Sequence, residues 1–265
     1  GVLFILIDIH WTTHYYENEF ASSIFSVLHE GGHGIYEQNF ERLLANTGLD
    51  GGASSAVHES QARMFENAFG RSAKFWHSLY SELQETFSPV LDDISMEVFV
   101  EAINRVESTL IRIEADELTY PLHIMVRYEL EKAIFEGTLE IDALPEAWNS
   151  RMRDYLGVVP EHHGEGILQD VHWAAGLIGY FPSYALGNAY AAQLLHFMRQ
   201  EVDVDRALLT QDFGEILQWL KNRVHHHGKR LKPEQVIQEA TGEAFDASYY
   251  IQYLKSKYKE RYDLK

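Results

Sequence analysis

The chain has 265 residues, and its 22 lysines and arginines against 40 aspartates and glutamates give a formal net charge of −18. This acidic balance argues against binding to nucleic acid or to an anionic membrane surface, because both require clustered basic residues. Cysteine is absent, which excludes disulfides, a thiolate nucleophile and a cysteine-based zinc site, so a metal ion would have to be held by histidines and carboxylates.

The chain begins with an apolar run from Val2 to Ile9 that could form a strand. This run is far shorter than the roughly 20 residues needed to cross a bilayer. It also lacks the basic flank and the small-residue cleavage site of a signal peptide. We therefore expect a soluble, cytoplasmic protein without membrane contact.

Most of the remaining sequence has apolar residues at helical spacing. The first predicted helix runs from Asn18 to about Leu44, and the second begins after Ser54, a predicted N-cap, and runs to about Gly70. Further helices are predicted over 73–86, 97–118, 121–136, 145–155, 182–200, 212–225, 233–240 and 246–260.

These patterns predict a mainly α fold. The glycine-rich segment Gly157–Gly166 is the one long loop expected, and no linker rich in serine, proline or glycine divides the chain. We therefore predict a single helical domain over residues 1–265.

The first predicted helix contains an H-E-x-x-H motif, in which His29 and His33 flank Glu30. Residues four apart lie on the same face of a helix, so the two imidazoles can converge on one cation. The glutamate can then take a proton from a water molecule bound to that cation. The motif therefore predicts a metal site with Glu30 as the general base, whereas the alternative is that both histidines are ordinary surface residues.

Three glycines surround these histidines: Gly31, Gly32 and Gly34. Each glycine costs a helix about 1 kcal/mol relative to alanine. Their presence favours a close approach of another backbone or of a substrate to this part of the helix.

A catalytic zinc ion needs a third protein ligand. The second helix offers His58 and Glu59, and Glu59 lies among apolar neighbours. Adjacent helical residues point about 100° apart, so only one of the two can face the metal. Glu59 is the better candidate, and a solvated helix face is the alternative interpretation.

Four segments in chain order resemble the signatures of the Taq-type thermostable metallocarboxypeptidase family: His29-Glu30-Gly31-Gly32-His33, His58-Glu59-Ser60-Gln61, Ile111-Arg112-Ile113-Glu114-Ala115-Asp116 and Gly166-Ile167-Leu168-Gln169-Asp170-Val171-His172-Trp173. The resemblance covers nearly the whole chain, which is similar to the C-terminal half of members about twice as long. It implies a helical fold like those of neurolysin and angiotensin-converting enzyme, and a zinc or cobalt ion. It also implies the release of single C-terminal amino acids from peptides with a free C-terminus, and a homodimer.

The resemblance assigns His29, His33 and Glu59 as metal ligands and Glu30 as the general base, in agreement with the motif analysis. It also implies that Arg112 binds the terminal carboxylate of a substrate, since a guanidinium pairs with a carboxylate through two hydrogen bonds. The alternative for Arg112 is an ion pair within its own helix, for example with Asp116.

His172 and Tyr180 match the histidine and tyrosine that donate to the tetrahedral oxyanion in related helical metallopeptidases. Buried structural roles are the alternative for both residues. Asp116 and Asp170 are candidates for orienting the imidazole of a metal ligand.

One segment departs from the family pattern. The family's D-x-R-x-T motif aligns with Asp8-Ile9-His10-Trp11-Thr12, where histidine replaces arginine. Because of this change and the chain's length, we keep a second hypothesis, a catalytically weak or inactive remnant that binds metal or dimerises. A third hypothesis is an endopeptidase or dipeptidase with the same metal centre. For this chain alone we expect slow peptide cleavage and self-association.

Overall fold

The computed structural model describes residues 2–5, 8–17 and 19–264. Strands β1 (Val2–Ile5) and β2 (Asp8–Trp11) form an antiparallel hairpin in which Val2 is paired with Trp11. The single strand suggested over Val2–Ile9 was wrong, because the described part of this run belongs to two paired strands; its residues 6 and 7 lie outside the described residues. The same holds for Asn18, the predicted start of the first helix.

The rest of the described chain is mainly helical, which confirms the predicted fold class. The helices are α1 (Phe20–Glu37), α2 (Ser55–Arg63), α3 (Ala73–Trp76), α4 (Tyr80–Thr86), α5 (Met96–Ile103), α6 (Tyr120–Phe135), α7 (Leu144–Leu156), α8 (Pro182–Glu201), α9 (Val204–Thr210), α10 (Gly214–Arg223), α11 (Pro233–Thr241) and α12 (Ser248–Tyr262). A π-helical turn, Met64–Phe69, continues directly from α2.

Several predicted helix boundaries were wrong. The first helix ends at Glu37 rather than Leu44, and the segment over 73–86 is interrupted between α3 and α4. The loop after α7 continues from Gly157 to the start of α8, well beyond the predicted end at Gly166. Helix α9 was missed, although Asp203 caps it by accepting a hydrogen bond from the backbone N–H of Arg206.

The predicted helix over 97–118 was also wrong in its second half, because α5 ends at Ile103 and Arg112 begins a short 3₁₀ turn. Asp116 accepts hydrogen bonds from the backbone N–H groups of Leu118 and Thr119 at 2.8 and 3.0 Å. Side chains of this type compete with helical backbone bonds and favour a helix start instead. The segment therefore leads into α6 rather than extending α5.

Across residues 2–5, 8–17 and 19–264, no helix combines the length and the apolar character needed to span a membrane.

The chain divides into two compact units. The first comprises residues up to Ile103 together with those from Leu186 onward, and the second is Asn104–Ala185. In the first unit, Phe25, Phe69, Leu194 and other buried side chains form one large apolar core. The single catalytic domain stays a prediction.

The second unit is built on α6 and α7, which bury Val126, Leu130, Trp148 and Met152 between them. The long loop that follows α7 is fixed to α6 by Glu131. The carboxylate of Glu131 accepts hydrogen bonds from the indole N–H of Trp173 at 2.7 Å and from the backbone N–H of Gly179 at 3.1 Å. These bonds hold the part of the loop that carries His172 and Tyr180.

Helices α1 and α2 approach each other closely at Gly32. A Cβ atom added at Gly32 would lie 2.6 Å from the carbonyl oxygen of Gln61 and 2.7 Å from the Cα of Ala62. These are backbone atoms, so a side chain at this position would force the two helices apart. The expectation that a glycine here permits the approach of another backbone is confirmed for Gly32.

We expect Gly32→Ala to lower the free energy of unfolding by about 1–3 kcal/mol, the usual cost of overpacking a filled interior. Gly31→Ala is the matched control, because a Cβ there would meet no atom within 4 Å and alanine raises helix propensity. The control should be neutral or more stable by up to about 1 kcal/mol. Urea unfolding of both variants measures the difference, and equal stabilities would contradict the backbone contact.

Candidate metal centre

The H-E-x-x-H motif lies on α1, as predicted, with His29 and His33 one helical turn apart. Their ring centroids are 4.8 Å apart and the rings are nearly perpendicular, at 89°. The exposed fractions of the two side chains are 19% and 16%, so both are largely enclosed and still reachable by solvent. Glu30 follows His29 on α1 and is half-buried.

The carboxylate of Glu59, on α2, faces both imidazoles. Its Oε2 atom lies 3.9 Å from Nε2 of His29 and 3.8 Å from Nε2 of His33. Within the described part of the chain, His29, His33 and Glu59 form the group whose potential ligand atoms all lie within 4.8 Å of one another. Ligands about 2.0–2.2 Å from a tetrahedral zinc ion are roughly 3.3–3.5 Å apart, so a small contraction fits these three atoms to such an ion.

Helix α2 and its neighbours hold Glu59 in this position. Ser54 caps α2 as predicted, accepting a hydrogen bond from the backbone N–H of Val57 at 3.1 Å. A Cβ added at Gly187 of α8 would lie 2.5 Å from Cγ of Glu59, so α8 packs its backbone directly against this side chain. Nε of Arg63 donates to Oε1 of Glu59 at 2.7 Å. The ion pair occupies Oε1 and leaves Oε2 directed at the two imidazoles.

Glu66 holds His29 from the opposite side of its ring. Its Oε2 atom lies 2.8 Å from Nδ1 of His29 and accepts from Nη1 of Arg63 at 2.9 Å. Burial raises the pKa of Glu66, but the charge of Arg63 and the bond to His29 outweigh it and bring the pKa well below its usual range. Burial likewise lowers the pKa of His29, and the carboxylates of Glu59 and Glu66 more than compensate, so the net shift is upward.

Glu66 was not predicted from the sequence, from which Asp116 and Asp170 were the candidates for orienting a ligand imidazole. A signal was present, because Glu59, Arg63 and Glu66 follow one another at spacings of four and three residues, which place them on one helix face. The π-helical turn that begins at Met64 carries Glu66. Such turns are frequent at functional sites.

His58 contacts His33 through a second imidazole pair. The two Nδ1 atoms lie 2.6 Å apart, and Nε2 of His58 lies 2.7 Å from Oε1 of Glu37. Burial, together with the neighbouring His29 and His58, lowers the pKa of His33 to about 2, so this imidazole is neutral, as a metal ligand must be. Of the two adjacent candidates for a third ligand, Glu59 faces the histidine pair and His58 supports His33.

Arg112, in the second unit, is buried and bound by Asp170. Its Nε and Nη2 atoms donate to Oδ1 of Asp170 at 3.0 and 2.8 Å, and Nη1 donates to the hydroxyl oxygen of Tyr120 at 2.9 Å. The alternative of an ion pair with Asp116 was wrong, since Asp116 accepts from the backbone N–H of Leu118 before α6 begins and Arg112 lies outside any long helix.

Asp170 also accepts a hydrogen bond from Nε of Arg127 at 2.7 Å. Burial raises the pKa of Asp170, but the two guanidinium groups outweigh it and lower the pKa overall. Two arginines therefore share one carboxylate, which leaves an excess of one positive charge in a buried setting.

His172 and Tyr180 lie together beside this ion pair. Nε2 of His172 is 2.9 Å from the hydroxyl oxygen of Tyr184, and its ring centroid is 5.5 Å from that of Tyr180. Burial and the charge of Arg112 lower the pKa of His172, which keeps the imidazole neutral. The structure thus brings Arg112, His172 and Tyr180 into one cluster of the second unit.

Comparison with known proteins supplies a family match. The sequence matches the family described as "Carboxypeptidase Taq (M32) metallopeptidase" over residues 4–258. It is 50% identical over 256 residues to Carboxypeptidase 1 of Bacillus subtilis (strain 168), covering 96% of this chain and 51% of that protein. It is 45% identical over 256 residues to Thermostable carboxypeptidase 1 of Thermus thermophilus, covering 96% of this chain and 50% of that protein.

The fold agrees with this match. The crystal structure of the M32 carboxypeptidase from Deinococcus radiodurans R1 is 38% identical, with a TM-score of 0.94, over 97% of this chain and 52% of that one. The chain spans about half the length of the curated relatives it matches.

We expect Glu59→Ala to weaken binding of Zn²⁺ or Co²⁺ by more than 100-fold, because it removes one of three converging ligand atoms. Loss of a mere hydrogen-bond partner of a ligand costs roughly 10–100-fold. Glu82→Ala, at an exposed position in the first turn of α4, is the control and should bind as the unmodified chain does. Titration of metal-free protein, followed by elemental analysis, measures both, and unchanged binding by the Glu59 variant would reject Glu59 as a ligand.

Proposed function

The chain belongs to the carboxypeptidase Taq (M32) metallopeptidase family, and from this premise we propose that it is a metallocarboxypeptidase that releases single amino acids from peptides with a free C-terminus. The observation that carries the proposal is the convergence of Nε2 of His29, Nε2 of His33 and Oε2 of Glu59, with Glu30 adjacent on α1.

The donor set suits zinc, with cobalt as the alternative. Two neutral imidazole nitrogens and one carboxylate oxygen fit these ions better than Ca²⁺ or Mg²⁺, which prefer shells of oxygen ligands. Held by His29, His33 and Glu59, such an ion supplies Lewis acidity and lowers the pKa of bound water to roughly 7.

Glu30 is proposed to handle the protons of the reaction. Its carboxylate takes a proton from the attacking water and returns it to the nitrogen of the leaving amino acid, so that one residue serves as base and then as acid. Because His29 and Glu59 are held by Glu66 and Arg63, the groups around Glu30 are fixed before substrate arrives.

Arg112 is proposed to bind the terminal carboxylate of the substrate. Among the described residues, its bonds to Asp170 and Tyr120 use three of its five N–H donors, which leaves donors for a further anion. The excess positive charge of Arg112 and Arg127 over Asp170 favours an anionic ligand. This preference for a free C-terminus is what would distinguish a carboxypeptidase from an endopeptidase.

His172 and Tyr180 are proposed to donate hydrogen bonds to the oxyanion that develops when water adds to the scissile carbonyl. Their proximity in the second unit and the neutral state of His172 support this role.

We also propose a cytoplasmic location and a homodimer. Ile113, Leu168 and Val171 are each more than 70% exposed, and burying them in an interface between two copies would be favourable.

A second candidate function is a metal-binding or dimerising module with weak or no catalysis. The observation that favours it is His10, which stands where the family's D-x-R-x-T pattern has arginine. Sedimentation at low micromolar concentration, together with an assay for release of C-terminal amino acids, separates the two functions.

We expect Glu30→Gln to abolish peptide hydrolysis, a loss of at least 100-fold in kcat, and to leave metal content unchanged. The amide cannot accept the proton of the attacking water, and Glu30 is not among the three convergent ligands. Release of C-terminal amino acids and elemental analysis of the same sample measure the two effects. Retained turnover would reject Glu30 as the base, and lost metal would place it among the ligands.

We expect Arg112→Lys to lower kcat/KM for peptides with a free C-terminus. The activation free energy should rise by about 2–4 kcal/mol, because lysine cannot pair with a carboxylate through two parallel bonds. C-terminally amidated peptides should be cut poorly by both forms. Arg105→Lys is the control, since that side chain is 71% exposed in the same unit. Equal cleavage of free and amidated peptides by the unmodified chain would favour the endopeptidase function.

A further inference from the structure

The two candidate histidine ligands are supported by different chemistry. Nδ1 of His29 faces a carboxylate, that of Glu66, at 2.8 Å. Nδ1 of His33 faces another imidazole nitrogen, Nδ1 of His58, at 2.6 Å. The far nitrogen of His58 reaches Oε1 of Glu37 at 2.7 Å. Glu37, His58 and His33 thus form a continuous row that leads to the candidate metal centre.

The positions of the hydrogens follow from the outer end of this row. An ionised carboxylate only accepts hydrogen bonds, so Nε2 of His58 carries a hydrogen and donates it to Glu37. In the His58 tautomer that carries hydrogen on Nε2 alone, the lone pair lies on Nδ1 and accepts from Nδ1–H of His33. Neutral His33 then has its lone pair on Nε2, the atom that faces Glu59.

The reverse arrangement would be incompatible with metal binding. If His58 donated from Nδ1, Nδ1 of His33 would have to accept, and the neutral ring of His33 would carry its hydrogen on Nε2. That nitrogen could then not bind a cation. The direction of the hydrogen bonds in this row therefore decides whether His33 can act as a ligand.

The ring of His58 is held in place by its surroundings. A Cβ added at Gly52 would lie 2.7 Å from Cδ2 of His58, so only glycine leaves room for the ring. The ring of Tyr36 packs edge-on against it at a centroid distance of 5.1 Å. Tyr36 is itself fixed, because its hydroxyl oxygen accepts from the backbone N–H of Ala53 at 3.1 Å.

We propose that Glu37 and His58 are positioning residues, which hold His33 in the tautomer with hydrogen on Nδ1 and so set the affinity of the site for its metal ion. The inference rests on the proposed metal-dependent function. It adds two residues outside the proposed ligand set, and it makes an imidazole, rather than a carboxylate, the immediate partner of His33.

The test is a titration of metal-free protein with Co²⁺ at one fixed pH, in which the visible absorption of the bound ion measures binding. His58→Leu should weaken binding by roughly 10–100-fold, the usual cost of losing such a partner. His58→Asn should recover part of the loss, because its Oδ1 can accept from Nδ1 of His33. Glu37→Gln keeps an acceptor without the charge and should weaken binding by only a few-fold. Glu41→Gln, at a surface ion pair with Arg230, is the control and should bind normally.

A second measurement reads the tautomer itself. Nitrogen-15 NMR of histidine-labelled, metal-free protein should show hydrogen on Nδ1 of His33 in the unmodified chain, and a mixture of tautomers in His58→Leu. A role of His58 in packing alone would not change this signal. Circular dichroism establishes that each variant is folded, and if His58→Leu is unfolded, His58→Asn and Glu37→Gln decide the matter by their affinities and the His33 signal.

The outcomes separate this inference from the proposed function. If the unmodified chain binds no Co²⁺, the metal site is wrong and the inference falls with it. If the unmodified chain binds Co²⁺ and all His58 and Glu37 variants bind within two-fold of it, the site stands and the inference is overturned. Hydrogen on Nε2 of His33 in the metal-free protein would overturn it as well.

Discussion

The close contact between α1 and α2 is the constraint on which the metal centre depends. Gly32 brings the backbone of α1 against that of α2 at Gln61 and Ala62, and the same two helices carry the histidine pair and Glu59. On the other side of α2, Gly187 lets α8 press against Glu59 itself. The carboxylate is thus confined by backbone on one side and by the imidazoles on the other. The convergence of these side chains is a consequence of helix packing.

Two arginines balance the negative charge of the two glutamates at this centre. Arg63 lies between the carboxylates of Glu59 and Glu66, binding one oxygen of each, and Arg71 lies 3.9 Å from the other oxygen of Glu66. Buried carboxylates without partners are costly, so the ion pairs with the arginines offset the burial of both glutamates, and the arginines lower the pKa of Glu66. His29 and Glu59 are therefore each oriented by a hydrogen bond to a neighbouring protein side chain.

The features that the sequence predicts correctly are local ones. The H-E-x-x-H motif, the Ser54 cap and the choice of Glu59 over its neighbour follow from spacing along a helix, and all three agree with the structure. The roles of these residues in metal binding and catalysis stay predictions. Arg112 was misplaced on a long helix, because its environment is set by Asp170, which is distant in the sequence. Helical periodicity carries no information about such partners.

The ion pair between Arg63 and Oε1 of Glu59 has a consequence for ion discrimination. A carboxylate with one oxygen already engaged offers a single donor atom to a cation. Ca²⁺ takes six to eight oxygen ligands and frequently uses both oxygens of a carboxylate, so it would have to break this ion pair and still lack donors. A small ion that accepts few ligands avoids that cost. The ion pair with Arg63 would therefore disfavour Ca²⁺ at this carboxylate.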